Sequence, residues 1–99
     1  MDAEQIEEQL LNALRGMAHG DVFTGASAVD LVQLLRRAAR RMGAEGRTSE
    51  ADVAAAVESL RTFLAEMEKA RDEWGLTEFH EETVSHAWTK LCPGFWPFC

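Results

Sequence analysis

The sequence predicts an all-α fold, a compact bundle of about four helices, and three observations carry that prediction. Apolar residues recur at steps of three and four in four separate segments. Capping residues and glycines fall where those segments would start and stop. No stretch alternates apolar and polar residues for long enough to make a strand. The chain has 99 residues, a usual length for one domain, and at 46% hydrophobic it is too apolar for disorder.

The first helix is expected from about Ala3 to Met17. Asp2 is its N-cap, with Gln5 three residues on, as in a capping box. Ile6, Leu10, Leu14 and Met17 line one face and Leu11 widens it. Gly16 and Gly20 bracket the stop, and His19-Gly20-Asp21 reads as a turn. The second helix is expected from about Ser27 to Met42, capped by Thr24 or Ser27. Its broad apolar set of Val29, Leu31, Val32, Leu34, Leu35, Ala38, Ala39 and Met42 predicts burial on more than one side. Gly43 is expected as its C-terminal glycine cap, with 44–47 as a loop.

The third helix has the strongest pattern. Thr48 or Ser49 caps it, and Glu50 and Asp52 place negative charge in its first turn. Val53, Val57, Leu60, Leu64, Met67 and Trp74 follow alternating steps of four and three, with Arg71 in the one polar slot, which predicts a bundle seam. Gly75 ends it. The fourth helix is expected from about Glu78 to Leu91, capped by Thr77. Val84, Ala87, Trp88 and Leu91 form its apolar face, His80 falls on the same side, and Pro93-Gly94 stops it. The chain thus divides into a bundle over 1–91 and an aromatic tail over 92–99.

The net charge of −7 disfavours nucleic acid and anionic membrane as partners. No segment has the ~20 apolar residues of a membrane span. Met1 to Gln9 is acidic and polar, unlike a secretory signal, so the expected location is cytoplasmic. Cys92 and Cys99 could join in a disulfide across eight residues, whereas in a reducing cytoplasm they would be two thiols.

The tail, Cys92-Pro93-Gly94-Phe95-Trp96-Pro97-Phe98-Cys99, holds three large aromatics between two cysteines. Exposing that much apolar surface is unfavourable by ~25 cal/mol per Å². Either the tail plugs the end of its own bundle, or Phe95, Trp96 and Phe98 are docking anchors for another protein. The layout also suits the core peptide of a ribosomally made, modified-peptide precursor.

Arg36, Arg37, Arg40 and Arg41, with Arg47 close by, supply half of the ten basic residues. Residues four apart share a helix face, so these arginines form a candidate electrostatic surface. The simpler expectation is that they favour the helix C-terminus and pair with the acidic third and fourth helices.

His80, His86, Cys92 and Cys99 are the right residue types for zinc, and Cys92-Pro93 matches a dipeptide of some haem sites. Their spacing is not that of a zinc finger, and His80 and His86 point about 120° apart on a helix at 100° per residue. They are expected to be ordinary side chains, with His80 partly buried, and no metal or other cofactor is expected. No GxSxG, P-loop or GxGxxG motif appears. Ser27 opens a helix somewhat as the modified serine of a carrier protein does, but it lacks the Asp-Ser-Leu sequence. The expected function is binding without catalysis: a small acidic helical module whose partner is another protein or a second copy of the chain.

Overall fold

A computed structural model describes residues 1–17 and 26–99, with the side chains of 26–28 outside the description. Four helices form it: α1 (Ala3–Met17), α2 (Ala26–Ala44), α3 (Glu50–Glu73) and α4 (Glu81–Leu91). Thr24 and the turn His19-Gly20-Asp21 lie outside the described residues.

Local chemistry sets several helix ends where the sequence places them. The Asp2 carboxylate accepts from Gln5 N at 2.9 Å and the Gln5 side chain accepts from Asp2 N at 3.0 Å. Ser49 and Asp52 form the same reciprocal pair at the head of α3. At its foot, Gly75 takes φ 69°. Leu76 N donates to Arg71 O and Gly75 N to Asp72 O, a Schellman closure.

Three ends differ. The glycine closing α2 is Gly46, at φ 72°, with Arg47 N donating to Met42 O and Gly46 N to Gly43 O. Gly43 lies inside the helix, because the positive φ that selects glycine falls three residues later. Ser27 is within the first turn of α2, not at its cap. The fourth helix starts at Glu81, with His80 at the N-cap in extended conformation. Thr83 Oγ1 accepts from His80 N at 3.1 Å and donates to His80 O at 2.6 Å. Phe79 explains the late start. A helical Phe79 would point about 140° from Val84, at 100° per residue. Outside the helix its ring is buried, with the Arg71 guanidinium 4.8 Å from its centre.

Each helix packs on two others: α1 on α2 and α3, and α4 on α3 and α2. A Cβ on Gly43 would lie 3.5 Å from Ala3 Cβ, and Glu7 pairs with Arg36, so α1 and α2 are antiparallel. Contacts of Arg71 with Phe79, Trp74 with His86 and Glu66 with Lys90 make α3 and α4 antiparallel. The Met1 amino group reaches Thr48 O at 3.3 Å, so α1 and α3 start at the same end. It follows that α2 and α4 run parallel, side by side.

Ile6, Leu10, Leu14, Leu31, Leu35, Met42, Leu60, Phe63 and Met67 make the centre of the core. The buried surface of α3 is wider than the expected seam. Ala56, Phe63 and Ala70 are buried beside Val53, Leu60, Leu64 and Met67, whereas Val57 is half-buried. A seam serves one partner, and α3 has two helices and the tail to cover. Trp74 sits at the C-cap, past the last buried turn, and is 43% exposed. As its broad apolar set predicts, α2 packs on both α1 and α4, with Val29 alone of that set left 60% exposed.

Candidate functional site

The tail completes the core. With 24 residues α3 is about 36 Å long, whereas the 11 residues of α4 reach only about 16 Å. On its α4 side the N-terminal half of α3 therefore lacks a helix, and residues 92–99 take that place. Phe98 is 7% exposed, with its ring 5.7 Å from Phe63 and 6.3 Å from Phe95. Ser59 Oγ donates to Trp96 O at 2.9 Å, and the Arg47 guanidinium stands 5.0 Å over the Trp96 ring. The Trp96 Nε1–H is buried with no acceptor among the described residues. Phe98 thus packs as a core residue, and Phe95 and Trp96 are half-buried against the same cluster.

The Cα atoms of Cys92 and Cys99 are 5.6 Å apart and their sulfurs are bonded. Of the two states the sequence leaves open, the structure has the disulfide, which closes the tail into a ring. His80 at the N-cap and Cys92 at the C-cap of α4 are twelve residues, about 18 Å, apart along the helix. The histidines and cysteines cannot meet at one ion, and no group of three metal-ligating side chains stands together among the described residues. His80 is exposed rather than partly buried, and the exposed His86 ring packs edge-on against Trp74 at 5.2 Å.

The arginines divide between two sides of α2. Arg36 binds Glu7 of α1 at 2.9 Å, and Arg41 binds Glu45, just beyond its own helix, at 3.1 Å. None of these ion pairs reaches α3 or α4, as the sequence would have had it. Arg36 and Arg40 line one cleft with Ala3, Glu4 and Glu7 of α1. Arg37 turns the other way, towards α4, and makes no ion pair with the described residues.

Arg37 there borders an open groove of about 430 Å³ between the parallel helices α2 and α4. Leu34 and Val84 form its floor, Asp30 and Glu81 flank it, and Trp88 rises from the α4 wall. Trp88 was expected to be core, yet it is 40% exposed. Arg37 lies two turns beyond Asp30, and Trp88 two turns beyond Glu81. With α2 and α4 parallel, carboxylates mark the groove's N-terminal end, and the guanidinium and indole its C-terminal end. The sequence holds the signal for this site only in part. Arg37 belongs to the arginine run, but nothing sets it apart from Arg36, Arg40 and Arg41, and nothing marks Trp88 as less buried than Trp96.

No helix of the described residues is long and apolar enough to cross a membrane. Compared with known proteins, the chain matches no family, no curated protein and no solved structure.

Proposed function

We propose that this chain is a small acidic helical interaction module that binds another protein through the α2–α4 groove, with no catalysis of its own. One observation carries the reading: a half-exposed Trp88 and an Arg37 without an ion-pair partner among the described residues border one open groove. Tryptophan and arginine are the side chains that most often dominate binding energy at protein interfaces. The aromatic tail packs against the core, whereas the groove stands open.

The test is cross-linking in the native cells with the full chain, its Trp88→Ala and Arg37→Glu variants, and Lys69→Glu as a control on exposed α3 surface. A specific partner should be held by the parent chain and the control and lost by both groove variants. A partner held equally by all four would move the binding surface elsewhere.

A further inference from the structure

The groove is electrically polarised, and that polarity specifies what fits it. Asp30 and Glu81 belong to the N-terminal turns of α2 and α4 and give one end two carboxylates. Arg37 gives the other end a cation, two turns or about 10.5 Å away. Between them the floor is apolar, Leu34 and Val84, with the Trp88 indole at the cationic end. An occupant matching this pattern needs an acidic side chain, apolar side chains, and a basic side chain spread over the same distance. On a helix these fall at i, i+3 and i+4, and i+7, all on one face.

A helix suits the groove better than an extended segment. The described residues contain no strand, so an extended backbone would find no ladder to join. A helix brings its own hydrogen bonds and presents ridges to the valley between two parallel helices. Helices also favour acids in their first turn and bases in their last. A bound helix with its acidic start over Arg37 and its basic end over Asp30 and Glu81 therefore runs antiparallel to α2 and α4. Its dipole then opposes theirs, and the chain's net charge of −7 draws in a partner of net positive charge.

Resting on the reading of the groove as a binding site, we infer that its occupant is an amphipathic helix of a basic partner protein, docked antiparallel to α2 and α4. Its acidic side chain pairs with Arg37 and its basic side chain with Asp30 and Glu81.

Two synthetic helical peptides of about four turns and identical composition test this. One carries Glu, Leu, Leu and Lys at i, i+3, i+4 and i+7, and the other has Glu and Lys exchanged. Binding to the full chain is measured by titration calorimetry. It is also followed by Trp88 fluorescence in a Trp74→Phe, Trp96→Phe background whose folding is checked by circular dichroism. We expect the first peptide to bind at least about tenfold more tightly, as for one well-placed charge pair of ~1.4 kcal/mol. In the triple variant Asp30→Lys, Glu81→Lys, Arg37→Glu the preference should reverse. Equal binding of both peptides that still needs Trp88 would overturn the polarity and keep the groove as a binding site. Binding of neither peptide to the folded chain would overturn the helical occupant, and the cross-linking result would then judge the groove on its own.

Discussion

The Phe98 ring lies 5.7 Å from the Phe63 ring, tilted by 45°, and this contact joins the next-to-last residue of the chain to the middle of its longest helix. Phe63 is fully buried and Phe98 nearly so. The contact makes the tail part of the hydrophobic core, filling the space that a short α4 leaves against α3.

Phe98→Ala should therefore behave as a core truncation and lower stability by about 3 kcal/mol, at the lower end of buried Phe→Ala substitutions. Removing residues 92–99 should cost at least as much, since Phe95 and Trp96 also leave the cluster. Urea unfolding followed by far-ultraviolet circular dichroism measures both. A truncated chain as stable as the parent would show that the tail is not core.

Replacing Cys92 and Cys99 together by serine should lower stability by about 2 kcal/mol. The bond closes a ring of eight residues, and the chain-entropy relation gives a cost of that order. Intact mass after alkylation without reductant should show neither cysteine modified. The alkylated parent would mean two free thiols.

Two glycine substitutions should act in opposite directions. Gly75→Ala places a Cβ on a residue at φ 69° and should destabilise by about 1 kcal/mol. Gly43→Ala lies inside α2, where its Cβ would meet Ala3 Cβ at 3.5 Å, an ordinary contact. It should stabilise by up to ~1 kcal/mol through helix propensity and the lost freedom of the unfolded chain. Shifts of the same sign in the denaturation midpoint would contradict one of the two backbone assignments.

Glu66 and Lys90 link α3 to α4 with Nζ 2.9 Å from Oε2, an oxygen with no other partner among the described residues. Hydrogen bonding to the ammonium holds the Glu66 carboxyl below its ordinary value of 4.5, against the opposing effect of burial. The same bond raises Lys90 above its ordinary 10.5. A lowered acid stabilises the fold above its unfolded pKa and loses that contribution as pH falls through the folded value. A raised base does so below its unfolded pKa and loses it as pH rises through the folded value. The stability difference between the parent and Glu66→Gln should thus be present at neutral pH and vanish below the ordinary carboxylate range. It should also shrink in high salt, because both side chains touch solvent. A difference unchanged by acid would assign the effect to packing.

Features set by neighbours within about four residues could be read from the chain alone. The all-α class, the capping pairs Asp2–Gln5 and Ser49–Asp52, and the Gly75 stop were legible because caps and periodicity are local chemistry. Tertiary structure decided which apolar residues are buried. Trp74, Trp88 and Trp96 look alike in the sequence, yet the first two stay partly exposed where α3 ends and where the α2–α4 groove opens. Trp96 is drawn against α3 because α4 stops short of it. Phe79 left the helical pattern because burial needed a direction the helix could not supply. The groove was hidden for the same reason. Arg37 and Glu81 are 44 residues apart, and only the packing of two parallel helices brings them to one site.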